Sequence, residues 1–388
     1  MPHPWGQIAQ AVFWGCCGGL LYIYVGYPLL VWLMARFRPR RAHTGEEVHA
    51  SPVSVVIAAH NEEQRIAEKL RNLLASRDVE LVDVWVGSDG STDGTVAAAR
   101  SVDDPRVCVV EFRERRGKAS VLNDLVPRCA GDIVVFVDVR QELERDAIAR
   151  LVAALSDPTV GVASGELRFR PAETERTVAA RGVGAYWSYE RWIRRNESGF
   201  RGVPGATGAL YAMRKSLFRP IPPQTILDDV VIPMQAVEQG YRCVFVPDAI
   251  AWDTPSTDCR AEAIRKRRTI AGAAQLVWLR PRWLLPWKNP LWWEFVSHKL
   301  ARLASPVLLI AALCTSAALA AVPLYRLLLV LQGVFYASAA VGWGLQRAGR
   351  SSRCCAVQLM FVTLNAVTLA ALWDALRGHC TVRWRRAV

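Results

Sequence analysis

The chain has 388 residues, 52% of them hydrophobic, and a formal charge of +13. That length holds a domain of ordinary size plus several membrane spans, and the hydrophobic fraction is high for a soluble enzyme. The positive charge points to nucleic acid, anionic lipid or an anionic substrate; no nucleic-acid-binding module is recognisable, and the arginines crowd loops beside apolar windows, which suits lipid headgroups.

Residues 11–34 carry no charge and are followed by Arg36, Arg38, Arg40 and Arg41. A span needs about 20 apolar residues, so this window qualifies. A cleaved signal peptide fits less well, because no basic residue precedes the window and it is long for such a segment. A basic linker at 37–50 follows. Residues 53–59 then read as a buried strand, 62–76 as a helix with Ile66, Leu70, Leu73 and Leu74 on one face, and 82–86 as a second strand. The alternation continues through a helix at 92–101, a strand at 106–111, a helix at 118–129, a strand at 133–137 and a helix at 146–155. It predicts an α/β domain with a mostly parallel sheet. A strand at 159–164, a long helix at 173–196, a short strand at 210–213, a helix near 230–238, strands around 243–246 and a final helix at 261–279 complete the polar region.

Three more uncharged windows, 304–325, 327–346 and 354–373, are flanked by basic residues and predict three C-terminal spans. Trp283, Trp287, Trp292 and Trp293 precede them among lysines, so residues 281–302 are expected to lie along the membrane surface. The arginines after the first span should stay cytoplasmic, which puts the large polar region inside, at a bacterial inner membrane. Three further spans would then export the basic tail, 378–388, against its own charge preference. The ten cysteines lack metal-ligand spacing. Those of the polar region read as small core residues in a reducing cytosol.

Polar islands punctuate this framework at strand ends, where open α/β sheets bind ligands. Asn61 and Glu62 follow the first strand. Residues 87–95, with Asp89, Gly90 and Ser91, form a turn of small and acidic groups. Its glycines allow close backbone approach, and Asp89 can accept hydrogen bonds from a base or ribose; the simpler reading is a tight turn with a helix cap. Asp138 ends the strand at 133–137 and could meet a divalent cation. Asp228 and Asp229 precede an apolar helix, either as acids favoured by its macrodipole or with Asp229 as a general base. Arg265 and Arg268 share a helical face and could grip a diphosphate or touch anionic lipid.

Together these islands resemble the membrane-bound family-2 glycosyltransferases, the group of cellulose, hyaluronan, chitin-oligosaccharide and poly-N-acetylglucosamine synthases. The resemblance runs from about residue 53 to 275 through Ala58-Ala59-His60-Asn61-Glu62, Asp89-Gly90-Ser91 and Gly117-Lys118-Ala119. It implies a GT-A, Rossmann-like domain at 51–280 that takes a nucleotide-diphospho-sugar, a UDP-sugar by family habit. Ala58, Asn61, Glu62, Asp89, Gly90, Ser91 and Lys118 would then serve the nucleotide and diphosphate. Asp138 corresponds to the first acid of the family's Asp-x-Asp element and would hold Mg2+ or Mn2+. Asp229, beside Asp228, would be the base, Arg268 the diphosphate partner, and Thr207 and Gly208 the acceptor loop. Trp187 could stack on a sugar ring.

Two positions depart from the pattern: Arg140 replaces the second acid of Asp-x-Asp, and Thr269 replaces the Trp of Gln-x-x-Arg-Trp, whose Gln is here Arg265. Arg140 could itself face the diphosphate. The expected reaction is inverting transfer to a growing polysaccharide or oligosaccharide, with an export partner or a second copy of the chain completing a conduit. One alternative is transfer of one sugar to a membrane lipid. Another is a non-catalytic nucleotide-sugar-binding subunit.

Overall fold

The computed structural model describes residues 4–39, 51–170, 178–254, 259–348, 350 and 354–377. Most of the 37–50 linker and the whole of the 378–388 tail fall outside the described residues.

β1 (Val53–Ala59) is buried along its whole length, as a β-branched run in a parallel sheet covered on both faces should be. The chain continues through α3 (Glu63–Leu74), β2 (Leu81–Asp89), α4 (Thr95–Arg100), β3 (Val107–Phe112), α5 (Lys118–Leu125) and β4 (Ile133–Val137). Here α1 and α2 denote the earlier helices Pro4–Leu21 and Tyr27–Phe37. β1, β2, β3 and β4 are paired in parallel. Their carboxyl ends therefore share one edge, where residues 60–62, 90–94, 113–117 and 138–141 collect.

The second half comprises β5 (Glu142–Leu143), α6 (Ala147–Ala154), β6 (Val160–Phe169), α7 (Val178–Phe200), β7 (Leu210–Arg214), α8 (Asp228–Glu238) and β8 (Arg242–Asp253). It extends the sheet to eight strands in the order β3-β2-β1-β4-β7-β6-β8-β5, with β7 antiparallel to its neighbours. Alternate residues of β1 supply two cores. Val56 and Ala58 pack with residues of α5 and α8. Val53, Val55 and Ile57 pack with Ile66 and Leu70 of α3 and Leu151 of α6.

Beyond α9 (Cys259–Leu279) come a short α10 (Trp292–Glu294), α11 (Ala301–Ala318), α12 (Pro323–Arg347) and α13 (Ala356–Leu376). Among the described residues, four helical stretches are long and apolar enough to cross a membrane: Trp5–Phe37, Trp292–Ala318, Pro323–Arg347 and Ala356–Leu376. The helix boundaries differ from expectation in two places. The second window stops at Ala318 because Pro323, at the first turn of α12, starts a new helix where its fixed φ and missing N–H cost nothing. Of residues 281–302, those from Trp292 onward belong to the second long apolar stretch, and Trp283 is fully buried in the core, its Nε1 donating to Glu238 at 2.7 Å. Trp287 alone of the expected interfacial tryptophans is largely exposed, at 73%.

α9 ties the two parts together. Arg267 donates to both oxygens of Asp374 on α13, at 2.5 and 2.7 Å. On its other side, a Cβ on Gly272 would lie 2.7 Å from Leu227 Cγ, so α9 seats tightly on the segment before α8. Gln275 locks that contact by accepting from Ile226 N at 3.1 Å and donating to Gln224 O at 2.7 Å.

Candidate active site

A cavity of about 350 Å3 opens at the carboxyl edge of the sheet. Its lining takes in ten of the residues singled out in the sequence: Ala58, Glu62, Lys118, Asp138, Arg140, Gly208, Asp228, Asp229, Arg268 and Thr269. They arrive from β1, α5, the end of β4, the 206–208 loop, the start of α8 and α9.

Charge organises the floor. The Lys118 ammonium lies 2.9 Å from Asp138 Oδ1 and 3.0 Å from Asp228 Oδ2. Burial pulls its pKa down, but the two carboxylates outweigh that and hold it well above the ordinary lysine value. Asp229 is the carboxylate held apart from this pair. Burial and the neighbouring charge of Asp228 push its pKa up to about 6, against the opposing pull of Lys118. A carboxylate tuned toward neutrality suits proton transfer near physiological pH. Arg268, lowered by burial and supported by Asp228 and Asp138, completes a mixed-charge wall.

Gly208 keeps the centre open. A Cβ there would sit 3.4 Å from Asp229 Oδ2 and 3.5 Å from Asp138 Oδ2. Both oxygens therefore face the space next to this glycine. The loop is fixed from two sides: Thr207 N donates to Ser164 Oγ at 3.0 Å, and Ala206 N to the Asp229 carbonyl at 2.7 Å.

The remaining candidates lie elsewhere. Asp89 accepts from Arg116 N at 2.7 Å and Gly117 N at 2.8 Å, so its carboxylate anchors the loop that delivers Lys118. Gly90, at φ +61, lets that loop approach: a Cβ would stand 2.7 Å from Arg115 N. Asn61, itself at positive φ, receives Thr92 N on Oδ1 at 2.8 Å and donates its own N–H to Ser91 Oγ at 3.2 Å. Asn61, Asp89, Gly90 and Ser91 thus weld the first two islands together beside the cavity, and none of them lines it. Thr207 and Trp187 do not line it either, and Trp187 rests edge-on against Phe169. The side chain of Arg265 lies outside the described residues.

Arg140 is bound to Asp253, a carboxylate only 1% exposed at the end of β8, and Gln141 Nε2 donates to the same oxygen at 3.0 Å. Sequence reading singled out neither Gln141 nor Asp253. Their meeting depends on the β5–β8 pairing at the far edge of the sheet, which has no local signature. For a divalent cation, the described residues contain no group of three ligating side chains. Asp138 offers a hard oxygen donor on the open side of the Lys118 pair. That fits an ion of the Mg2+ or Mn2+ class held jointly by one carboxylate and substrate phosphates.

The Glycosyl transferase family 2 model matches residues 54–221, which stops short of Asp228, Asp229 and Arg268. The poly-beta-1,6-N-acetyl-D-glucosamine synthase of Staphylococcus aureus strain COL is 24% identical over 205 residues, covering 52% of this chain and 49% of that protein. An N-acetylglucosaminyltransferase of Azorhizobium caulinodans is 24% identical over 215 residues, covering 51% of this chain and 54% of its own length. The chain spans about half the length of these curated relatives. One solved structure matches nearly end to end: the mannosyltransferase PcManGT from Pyrobaculum calidifontis, in complex with GDP-Man and Mn2+, at TM-score 0.69 and 25% identity, covering 96% of this chain and 98% of that one.

Proposed function

We propose that this chain, a family-2 glycosyltransferase with the GT-A fold, moves a sugar from a nucleotide-diphospho-sugar to an acceptor hydroxyl at the inner face of a membrane. The observation that carries this reading is the pair of oxygens on Asp229 and Asp138 facing one space beside Gly208. There, a donor sugar and its leaving group can sit between a base and a cationic wall.

The step is a single displacement with inversion. Asp229 takes the proton of the acceptor hydroxyl, that oxygen bonds to the anomeric carbon, and the bond from that carbon to the diphosphate oxygen breaks. Lys118 and Arg268 stabilise charge that grows on the departing diphosphate, so their effect is greatest in the transition state. A divalent cation, when bound by Asp138 and the phosphates, supplies further neutralisation of that charge. The relatives' names support a hexosamine donor and a saccharide product, and the GDP-Man of the solved neighbour makes guanosine donors worth equal trial.

The test is turnover of a panel of uridine and guanosine diphosphate sugars by membranes carrying the protein, with and without chelator. We expect transfer from at least one donor, abolished in Asp229→Asn and diminished by chelator. Full activity in Asp229→Asn would remove the base, and indifference to chelator would remove the cation.

A further inference from the structure

Behind the 206–208 loop lies a buried relay that lines no part of the cavity. Ser164, fully buried on β6, accepts on its Oγ from Thr207 N at 3.0 Å and from Arg194 Nη2 at 2.7 Å. Its own hydroxyl donates to the Gly165 carbonyl at 3.3 Å. A hydroxyl has one proton to give and two lone pairs to accept with, so this one is used in full. The register of β6 against β8 shifts between Ser164 and Glu166, an irregularity of the kind that re-aims a side chain.

Arg194 reaches Ser164 from α7. Its guanidinium lies over the Phe245 ring, 4.7 Å from the centroid, and burial pulls its pKa below the ordinary arginine value. Burying such a group costs free energy unless its N–H groups find partners, and the Ser164 oxygen is one. α7 itself is fixed from both sides. One turn on from Arg194, Ser198 Oγ accepts from Phe245 N at 2.9 Å, while Ile193 packs on Tyr27 and Val31 of the first span. Arg194 and Ser164 therefore carry the position of α7 to Thr207. Gly208 follows, beside the space that Asp229 and Asp138 face. Lys118, Asp138 and Arg268 enter the cavity from α5, the end of β4 and α9, so the relay bears on the loop side of the cavity and not on the diphosphate side.

We infer that Arg194 is a positioning residue for the acceptor: through Ser164 it fixes the 206–208 loop against Asp229, so that an acceptor hydroxyl meets that carboxylate in line with the anomeric carbon. This rests on the glycosyl-transfer reading and adds to it two residues that serve the reaction without touching substrate. Reacting groups tolerate little misplacement, and a shift of about 1 Å can cost about 100-fold in rate. Hydrolysis of the donor depends less on the relay. There water takes the acceptor's place, its oxygen bonds to the anomeric carbon, and free sugar and nucleoside diphosphate result.

The full-length protein in its membranes is given the uridine and guanosine diphosphate sugars of the panel, labelled in the sugar. Label transferred to acceptor is counted against label released as free sugar, and UDP and GDP binding is titrated alongside. We expect Ser164→Ala and Arg194→Met each to lower transfer about tenfold or more beyond any loss of hydrolysis, with the nucleotide bound as tightly as by the parental protein. Arg194→Lys, which keeps a charged N–H donor, should recover part of the transfer. The double variant should be no worse than the weaker single one, because both changes cut the same relay. Unchanged transfer in Ser164→Ala, or losses that multiply in the double variant, would overturn the relay. So would a parallel loss of transfer, hydrolysis and nucleotide binding, which would make Arg194 and Ser164 parts of the scaffold. No transfer from any donor by the parental protein, or an active Asp229→Asn, would instead sink the glycosyl-transfer reading beneath it.

Discussion

Lys118 holds Asp228 at 3.0 Å across the floor of the cavity, although the two residues are 110 positions apart in the chain. The same ammonium holds Asp138, so a single cation keeps the end of β4 and the start of α8 in register. Replacing it with methionine leaves two carboxylates facing each other with Arg268 as their remaining counter-charge in the cavity. Breaking a buried pair from one side costs about 3–5 kcal/mol. Removing a single donor to developing negative charge costs about 100- to 1,000-fold in kcat. Lys118→Met should therefore lower both the melting temperature and kcat, and Lys118→Arg should recover stability better than rate.

The pH profile should report Asp229. Its pKa is raised in the folded protein to about 6 from 3.8, so it is protonated below that value and can act as a base only above it. The rate should fall as pH drops through about 6. Because Lys118 opposes the rise, Lys118→Met should move this acid limb to higher pH in whatever activity remains. The stability sign is the reverse: protonated Asp229 favours the fold below pH 4, and that contribution is lost as pH rises through 6. Asp229→Asn, neutral at every pH, should melt at or above the parental temperature at pH 7.5 while losing activity.

Restoring the missing acid should fail. Arg140→Asp would recreate Asp-x-Asp in sequence, but it would take the guanidinium from Asp253, which is buried and keeps only the Gln141 amide. A new carboxylate at this exposed position would then face the buried Asp253, which has lost its counter-charge. Thermal melting should show a loss of stability, and cation affinity should not rise. The double change Arg140→Asp with Asp253→Asn separates the two effects, and stability should return in it.

Gly272→Ala tests the seat of α9. Its methyl would need space that Leu227 Cγ and Ile226 Cγ2 occupy, at 2.7 and 2.8 Å. The helix must withdraw, and Arg268 with it, although no charge changes. We expect weaker donor binding and a tenfold or greater loss of kcat/KM, measured by nucleotide titration and turnover, with the catalytic domain still folded.

The first half of the sheet was readable because each strand announces itself locally. Residues 133–137 are a continuous apolar run and residues 53–59 are one broken only by Ser54, each ended by polar groups, and their bounds match those of β4 and β1. Ends set by turn chemistry were harder: β6 and β8 run to Phe169 and Asp253, past the points where apolar pattern fades, because they pair with each other. At the site, sequence pattern marked the carboxylates and cations that line the cavity but could not apportion them. Asp89 and Asn61 have the residue types of ligands, and in the structure they also hydrogen-bond neighbouring loops. The second cavity, lined by Thr269, Lys299 and Phe361, had no signature, since it forms between helices far apart in sequence.

The Arg267–Asp374 clasp has a further consequence. α9 carries Arg268 and is fastened by the adjacent residue to a helix apolar enough to cross the bilayer, so its seating follows the depth and tilt of α13. Those in turn answer to hydrophobic mismatch with the surrounding acyl chains. On the proposed reading, bilayer thickness should thus be an input to catalysis. Turnover measured in short-chain and long-chain phosphatidylcholines should pass through an optimum, and Asp374→Ala should flatten it.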